Sequence, residues 1–211
     1  MLNMLNICKD GWNENNAYIF GFIMADGCLL PYKKNEKIVM SSNDLDLLED
    51  IKIYIKEDRK IYKTRNSFQL YYTNQEAISF MKNNKLVSRK SKIVEFPDIP
   101  FSLYGSFIRG YFDGNGSIIF NETKNNTYPQ VSISSGSRVF LDNMSDVLNI
   151  NSIPSYVYVD KPFSSFSLKV NGINNCNKFY DFMYPSSNII KLNRKHNKFN
   201  KIKKLSYKYN I

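Results

Sequence analysis

One carboxylate stands alone at the end of an apolar segment near the start of the sequence. In AYIFGFIMADGCLL (residues 17–30), Asp26 is the only charged residue, and a glycine follows it directly. A carboxylate at the C-terminal end of a helix meets the negative end of the helix dipole, and a divalent cation would compensate this placement. Hard oxygen ligands beside phosphates suit Mg²⁺, which keeps much of its water shell and needs few carboxylates. The alternative is a plain helix C-cap, with Gly27 in the left-handed conformation.

The same segment occurs a second time in the chain. NAYIFGFIMADGCLL (16–30) aligns without gaps on GSFIRGYFDGNGSII (105–119), so that Gly21 falls on Gly110 and Gly27 on Gly116. Two copies in register favour a functional role over a chance helix cap. Small residues at a spacing of three to four on one helical stripe let two helix backbones approach closely. The sequence therefore predicts that the two motif helices form the interface between the repeats, through Gly21, Ala25, Gly27, Gly110, Gly114 and Gly116.

The segments C-terminal to the two copies are also duplicated, which predicts the fold. Each half reads as helix, two strands, helix, two strands and helix, with the middle helix capped by Asn43 or Ser137. We therefore predict an α+β fold of two pseudo-symmetric αββαββα halves, residues 1–98 and 99–211. Each half has a four-stranded antiparallel sheet with helices over one face. The predicted hairpins span 59–73 and 155–170, and the last helices lie near 75–83 and 173–184.

Side-chain alternation along the predicted strands indicates which face of each sheet stays open. Ile38 and Met40 point inward in the first half, as do Val131 and Ile133 in the second, with polar or basic residues between them. A three-residue turn in the first hairpin would place Lys63 on the open face and Arg65 at the tip. Such a face suits readout of the DNA major groove, and an ordinary solvated sheet face is the alternative. The candidate DNA-binding residues are Lys33, Lys34, Lys37, Ser41, Lys63, Arg65, Gln69, Tyr71, Lys124, Gln130, Ser132, Ser134, Tyr156, Tyr158, Lys161, Ser165, Ser167 and Lys169.

The charge balance favours a polyanionic partner. The 211 residues include 29 Lys and Arg against 19 Asp and Glu, a formal net charge of +10. Such a surplus indicates nucleic acid first and an anionic membrane surface second. No apolar run approaches the roughly 20 residues that span a bilayer, and the N-terminus has no signal-peptide pattern. The three cysteines and the one histidine do not have the spacing of a zinc site. A reduced, intracellular protein is the default expectation for this cysteine usage.

The two motifs resemble a known family. IFGFIMADG (19–27) and IRGYFDGNG (108–116) look like the signature motifs of LAGLIDADG homing endonucleases in their single-chain, double-motif form. The resemblance extends over nearly the whole chain, to about residue 198. It implies a monomeric, site-specific double-stranded DNA endonuclease that is encoded within a mobile intron or intein. It also implies that the sheets form a saddle over a long DNA target, with the motif helices packed at the centre.

The resemblance also assigns the metal site. The acidic residue at the eighth motif position binds a divalent metal, Mg²⁺, near the scissile phosphate, and these positions are Asp26 and Asn115 here. Asn115 departs from the usual acid: its neutral oxygen binds a cation more weakly and cannot act as a base. It is an engineered change that holds an uncut complex, a natural change that gives strand-biased nicking, or a sign that cleavage was lost. The typical RGYFDGNGSI context favours the first.

The resemblance implies further roles for basic residues. Basic side chains near the metals neutralise the phosphate, which makes Lys90 and Lys195 catalytic candidates, and contact with the DNA backbone alone is the alternative. Asp113 is expected to be structural, and His196 to be solvated or in contact with DNA. The tail 195–211 is compatible with a basic arm or with a final helix. Trp12 is expected to plug an edge of the core.

Other functions compete with cleavage. An intron RNA-splicing maturase and a cleavage-deficient DNA-binding protein both remain compatible with the sequence. An intein-embedded form is less expected, because the chain lacks a nucleophilic first residue and a terminal His-Asn. A DNA-binding role predicts that affinity falls steeply with salt, because each lysine–phosphate contact releases counterions.

Overall fold

The computed structural model describes residues 11–87, 94–124, 126–160, 165–186 and 189–209. These residues form two compact units. The first contains residues up to 87 together with 97–114 and 189–192, and the second contains the other described residues. The units are defined by contacts and not by the sequence repeat, so the predicted boundary at residue 98 stays a prediction.

The first unit contains one complete repeat and the helix of the second motif. Its sheet A is antiparallel throughout, in the order β1-β2-β4-β3. A short 3-10 turn, Phe101–Leu103, precedes the second motif helix α4, Tyr104–Asn115. The repeat consists of α1 Glu14–Asp26, β1 Gly27–Tyr32, β2 Asn35–Ser42, α2 Leu45–Tyr54, β3 Tyr62–Lys63, β4 Phe68–Tyr72 and α3 Gln75–Asn83.

The second unit repeats this pattern after α4. Its sheet B has the order β5-β6-β8-β7 and is also antiparallel, so the two sheets share one topology. The predicted α+β fold of two similar αββαββα halves is thus confirmed. The elements are β5 Gly116–Glu122, β6 Thr127–Ser135, α5 Arg138–Ile150, β7 Tyr156–Asp160, β8 Ser165–Asn171, α6 Ile173–Met183 and the additional α7 Asn193–Tyr209.

Side-chain caps explain where several helices begin. The Asn13 side chain accepts a hydrogen bond from the Asn16 amide, and the Ser137 hydroxyl accepts one from the Phe140 amide. The predicted cap Ser137 is therefore confirmed. The predicted cap Asn43 is wrong, because α2 begins one residue later, after Asp44. The Asp44 amide donates to the Ser42 hydroxyl, which keeps residues 43 and 44 in the loop.

Each unit has a core between its sheet and its helices. In sheet A, Ile38 and Met40 are fully buried, and the same holds for Val131 and Ile133 in sheet B. The predicted inward positions are therefore confirmed. The other members of the two cores include Leu47, Leu48, Ile51, Leu70, Ala77 and Met81 in the first unit, and Phe140, Leu141, Met144, Leu168, Val170 and Phe179 in the second.

The C-terminal tail forms a helix that packs on the second unit. Phe199, Ile202 and Leu205 of α7 are buried, and the Asn177 side chain of α6 donates to the Ser206 hydroxyl at 2.6 Å. Of the two predicted alternatives, the final helix is correct. His196 is half-buried and not simply solvated: its Nε2 lies 3.0 Å from the Tyr180 hydroxyl, because this side of α7 faces α6. Its contact with DNA stays a prediction.

Trp12 closes one edge of the first core, as predicted. Its ring centroid lies 5.6 Å from that of Phe20 and 5.2 Å from that of Phe80.

Among the helices of the described residues, none is both long enough and apolar enough to cross a bilayer.

Candidate metal site and nucleic-acid interface

The two motif helices, α1 and α4, approach so closely that only glycine fits at the crossing. A Cβ at Gly21 would clash with the Phe107 carbonyl oxygen and lie 2.9 Å from the Tyr111 nitrogen. A Cβ at Gly110 would clash with the Tyr18 carbonyl oxygen and lie 2.9 Å from the Phe22 nitrogen. Both flanking backbones are buried within rigid helices. The spacing of small residues therefore serves backbone-to-backbone packing.

The same packing brings Gly114 of α4 close to Asp26. A Cβ at Gly114 of α4 would clash with the Ala25 side chain and lie 3.4 Å from Oδ2 of Asp26. Because Gly114 has no side chain, the α4 backbone can pass close to this carboxylate. Asp26 itself is exposed at the end of α1.

Gly27 and Gly116 have a different position from the other motif glycines. Each is the first residue of a strand, β1 or β5, directly after a motif helix. Gly27 has φ −83° and ψ 152°, so the alternative of a left-handed glycine cap is wrong. Its nearest neighbours belong to Ile23 of α1 itself, and its amide donates to the Ile23 carbonyl. Gly27 is thus the residue at which the chain changes from helix α1 to strand β1. Its neighbours lie in α1, whereas the sequence predicted a contact with the second motif helix, α4.

The surroundings of Asp26 suit a divalent cation that keeps water ligands. The last turn of α1 contains no basic residue, so the carboxylate and the negative end of the helix dipole add to one another. In the part of the chain that the structure describes, no group of three or more His, Cys, Asp or Glu residues could hold a metal ion. A single exposed carboxylate fits Mg²⁺, which binds through one or two carboxylates, waters and phosphate oxygens.

Asn115 takes the corresponding position on α4. It is the last residue of that helix, is half-buried and is followed directly by Gly116. The last turn of α4 also contains no basic residue. Its amide oxygen is a neutral donor, so this helix end attracts a cation less strongly than the end of α1.

A buried polar network lies beside the motif helices. Asp113 Oδ2 accepts hydrogen bonds at 2.8 Å from the Tyr18 hydroxyl and at 2.8 Å from the Leu192 amide. Arg109 is fully buried, stacks over the Tyr18 ring at 5.1 Å and donates Nε to the Ile190 carbonyl. The structural role predicted for Asp113 is confirmed. Arg109, a charged residue at a core-facing position of α4, was not predicted from the sequence.

Of the two predicted catalytic lysines, the structure describes only Lys195. Lys90 lies outside the described residues. Lys195 lies in the first turn of α7 and is only 4% exposed. This burial distinguishes Lys195 from the exposed lysines farther along α7, and it disfavours a simple surface contact with DNA. Its catalytic role stays a prediction.

The open face of sheet A, the face opposite its helices, carries a cluster of lysine and tyrosine. Lys37 Nζ lies 4.1 Å from the Tyr71 ring centroid and 5.2 Å from that of Tyr32. Tyr62 stacks on Tyr71 at 5.0 Å, and the Tyr71 hydroxyl donates to Gln69. Lys37, Gln69 and Tyr71 were predicted for this face. Tyr32 and Tyr62 were missed, although the alternation of β1 points Tyr32 the same way.

Lys63 lies on the opposite face from Gln69, so its predicted position is wrong. The observed pairs are Tyr62 with Gln69 and Lys63 with Phe68, and Phe68 shares its face with buried Leu70. The turn has two residues and not the three predicted, since the Thr64 amide donates to the Ser67 carbonyl. A shift of one residue in register moves each side chain to the other face.

The open face of sheet B is more polar. Ser132 pairs with both Ser117 and Lys169, and Lys169 pairs with Tyr156, which forms one row across four strands. Lys169 Nζ lies 5.1 Å from the Tyr158 ring centroid. The Gln130 side chain donates to Asn171 at 2.7 Å.

Ser167 faces this side but is not accessible. It is 2% exposed, because its hydroxyl donates to Asp160 Oδ1 at 2.9 Å on the neighbouring strand. The prediction that Ser167 is available on the open face is therefore wrong. Val39 of sheet A is likewise buried on its open face, between its strand partners Cys28 and Tyr71.

The other predicted contact residues lie at strand ends, in turns or on the open faces. Lys33 and Lys34 occupy the β1–β2 turn, and Lys33 has a positive φ of 55°. Lys161 lies outside the described residues. Exposed positions are Arg65 at the β3–β4 turn, Lys124 in the β5–β6 loop, Ser134, Tyr156 and Tyr158, while Ser41, Gln130, Ser132, Ser165 and Lys169 are half-buried.

Comparison with protein families gives a match to both repeats. The profile of the LAGLIDADG-like domain matches residues 13–94 and again residues 102–183. The first match begins just before α1 and continues past α3 to residue 94, and the second begins just before α4 and ends at Met183, the last residue of α6.

Three curated proteins share sequence with the chain. An uncharacterised protein of Methanocaldococcus jannaschii is 24% identical over 166 residues, which is 71% of this chain and 59% of that protein. A DNA polymerase of Acanthamoeba polyphaga mimivirus is 30% identical over 53% of this chain and 7% of the polymerase. The "Probable translation initiation factor IF-2" of M. jannaschii is 24% identical over 87% of this chain and 16% of its own length. The chain thus spans only part of each relative.

Solved structures share the fold. The homing endonuclease I-DmoI in complex with DNA and Mn superposes with a TM-score of 0.62 at 16% identity, over 82% of this chain and 98% of that chain. The LAGLIDADG homing endonuclease I-LtrWI bound to target DNA gives 0.62 at 15%, over 91% and 89%. The meganuclease I-SmaMI bound to uncleaveable DNA gives 0.63 at 13%, over 92% and 91%.

Proposed function

Because the chain belongs to the family of LAGLIDADG-like domain proteins, we propose that it is a site-specific endonuclease of double-stranded DNA. The observation that carries this proposal is Asp26, an exposed carboxylate at the end of α1 that lies close to Gly114 of the second motif helix. The net charge of +10 supports a polyanionic substrate. The matches to short stretches of a polymerase and of an initiation factor support a mobile element that inserts into host genes.

Asp26 is the principal metal ligand of the proposed site. Its carboxylate and the carbonyl end of α1 attract a divalent cation, and Mg²⁺ fits this donor set. When bound, the cation neutralises charge on the phosphate and lowers the pKa of coordinated water. The chain's own contribution is to hold the carboxylate at a fixed place, because the packing at Gly21 and Gly110 lets neither motif helix slide. Lys195 is the proposed basic residue of the second half.

Asn115 makes the two helix ends chemically unequal. Its oxygen carries no net charge and cannot accept a proton, so hydrolysis near this end loses electrostatic stabilisation. We therefore expect cleavage of the strand served by Asp26 and slow or absent cleavage of the other strand. The product of the present sequence is a nick at one long site.

The open faces of the sheets supply recognition in this proposal. Each sheet reads one half of the target, sheet A through Lys37, Gln69 and Tyr71, and sheet B through Gln130 and Lys169. Lysine bonds to guanine O6 and N7, and glutamine to adenine N6 and N7, in the major groove. These residues alternate with buried ones along twisted antiparallel strands, a form that the major groove admits.

A cleavage-deficient DNA-binding protein is the second candidate, and the absent carboxylate at position 115 favours it. The test uses a supercoiled plasmid library with a partly randomised insert, with Mg²⁺, and compares the native chain with Asp26→Asn. We expect Mg²⁺-dependent nicking by the native chain and at least a hundredfold slower nicking by the variant, with unchanged affinity for DNA. DNA binding without nicking by the native chain would support the second candidate, and binding to intron RNA alone would support a maturase.

A further inference from the structure

The strand that follows Asp26 brings apolar side chains to the open face of sheet A. On β1, Cys28 and Leu30 point to this face, because Leu29 between them is buried and points inward. Both side chains are exposed, that of Leu30 at 40%. The first two open-face positions after the proposed metal ligand are therefore apolar.

The strand register extends this apolar surface across the sheet. Cys28 pairs with Val39, and Val39 pairs with Tyr71, so that the three side chains form one row. Directly opposite side chains on one face have their Cβ atoms about 5 Å apart. Val39 is only 6% exposed and forms the floor of the row, while Cys28 and Leu30 remain accessible beside it. We call Cys28, Leu30 and Val39 the apolar patch.

The corresponding row of sheet B is polar. In the alignment of the two motifs, Ser117 corresponds to Cys28. Ser117 pairs with Ser132, and Ser132 pairs with Lys169. The two sheets have the same topology, so a requirement of the fold would apply to both rows. The apolar patch is therefore not needed to build such a sheet, and its role concerns what sheet A binds.

We propose that the apolar patch binds the C5-methyl groups of thymine in the major groove of the target. The thymine methyl group is exposed in this groove, and apolar side chains recognise it. At about 3.3 Å per residue, Cys28 and Leu30 lie about 7 and 13 Å beyond Asp26 along the chain. The thymines are thus those of this half of the target that lie nearest the Asp26 end.

The polar row of sheet B makes the two halves of the target unequal. Ser117, Ser132 and Lys169 offer hydrogen bonds at the place where sheet A offers apolar contact. Lysine bonds to guanine O6 and N7, which a thymine does not present. The inference rests on the proposed function and extends it to the identity of bases in the target.

The surroundings of the patch favour DNA over a protein partner. Lys37 is the strand partner of Leu30, and its Nζ lies 4.1 Å from the Tyr71 ring centroid. A positive charge therefore borders the patch, as contact with a polyanion requires. Three side chains, one of them buried, form a smaller surface than the several hundred Å² of a typical protein-interaction patch. RNA is also disfavoured, because uracil has no C5-methyl group.

The test deletes single methyl groups from the DNA. A target duplex is first selected with the native chain from a pool that has a randomised central segment. Each thymine of the selected duplex is then replaced, one at a time, by 2′-deoxyuridine, which removes the methyl group alone. We expect about fourfold weaker binding at the thymines that contact the patch, the value of one buried methyl-sized group. The measurement is a fluorescence-anisotropy titration.

A protein variant shows whether the patch is the partner of these methyl groups. Cys28→Ser/Leu30→Ser removes accessible apolar atoms without a change of charge. In this variant the effect of deoxyuridine should fall below about twofold. The matched control, Ile53→Ser/Val139→Ser, removes exposed apolar side chains from α2 and α5. It should keep the full effect of the native chain.

The outcomes separate this inference from the proposed function. An effect of deoxyuridine that is equal in the native chain and in Cys28→Ser/Leu30→Ser would overturn the patch. Nicking of the selected duplex with Mg²⁺, without any effect of deoxyuridine, would overturn the patch and leave the proposed function standing. If the pool yields no enriched sequence, both fail. If the double variant does not fold, Cys28→Ser, a change of one atom, should still reduce the effect, and an unchanged effect would overturn the patch.

Discussion

At the scale of single residues, the two motif helices differ in the last side chain. Asp26 and Asn115 occupy matching positions, and this equivalence was predictable because the two motifs align without a gap. The surroundings of these residues were not predictable in the same way. The role of Gly27 as the first extended residue of β1 depends on its backbone angles, which the glycine itself leaves free. Ser167 is covered by Asp160, a partner that only the strand register identifies.

Cys176 supports a prediction about pH. The thiol is buried and contacts the Val170 and Pro129 carbonyls, and burial raises its pKa to about 12. An unfolded thiol titrates near 8.5, so the folded state holds its proton more tightly. This contribution to stability is complete below about pH 8.5 and is lost as the pH rises towards 12. We expect the free energy of unfolding to fall more steeply with pH for the native chain than for Cys176→Ala, in urea titrations from pH 8 to 11. Parallel curves would show that the thiol does not contribute.

At the scale of elements, the crossing of α1 and α4 is the feature that the sequence indicated most directly. Small residues at helical spacing predicted close backbones, and Gly21 and Gly110 lie at that crossing. The network of Tyr18, Arg109 and Asp113 was not predictable, since the segment that contains Ile190 and Leu192 is far away in sequence. Such distant partners are set by tertiary packing and not by local pattern.

The crossing predicts the sign of a glycine substitution. In an exposed helix, Gly→Ala stabilises by about 1 kcal/mol because alanine loses less conformational entropy. At Gly110 the added methyl would meet the Tyr18 carbonyl oxygen within a fixed backbone. We expect Gly110→Ala to lower the free energy of unfolding by about 3 kcal/mol or more, measured by urea denaturation. A neutral or stabilising result would contradict this helix packing.

The β3–β4 hairpin shows how one turn residue changes a site. The apolar alternation of β4 was readable, but the length of the turn was not, because ThrArgAsnSer contains no glycine or proline that selects a turn type. The observed register puts Lys63 opposite Phe68 and leaves Lys37 on the open face beside Tyr71.

These two lysines form a matched pair for testing the DNA face. Lys37→Gln and Lys63→Gln remove the same charge from opposite faces of one sheet. We expect Lys37→Gln to weaken binding to the identified target duplex about tenfold, as loss of a base contact costs about 1–3 kcal/mol. Lys63→Gln should change it by less than about threefold, within the small effect of an exposed charge. The measurement is a fluorescence-anisotropy titration at fixed salt. Equal losses would favour the three-residue turn or a DNA path along the other face.

At the scale of the whole molecule, duplication explains why so much of the fold was predictable. Each ambiguous segment has a second copy, so the helix–strand–strand order could be checked within one chain, and both sheets have the same strand order. The additional helix α7 has no copy in the first repeat. The sequence of this segment was compatible with a basic arm or with a helix. The burial of Phe199, Ile202 and Leu205 within the second unit, which selects the helix, depends on tertiary packing.

The central claim is that one of two matching helix ends has the chemistry for hydrolysis and the other lacks a carboxylate. The most direct measurement is cleavage of a supercoiled plasmid that contains the selected site, with Mg²⁺, by the native chain and by Asn115→Asp. We predict nicked circles from the native chain and linear product from the variant, because the restored charge completes the second metal-binding end. If the variant also leaves only nicked circles, or if neither protein cuts DNA that both bind, the central claim is contradicted.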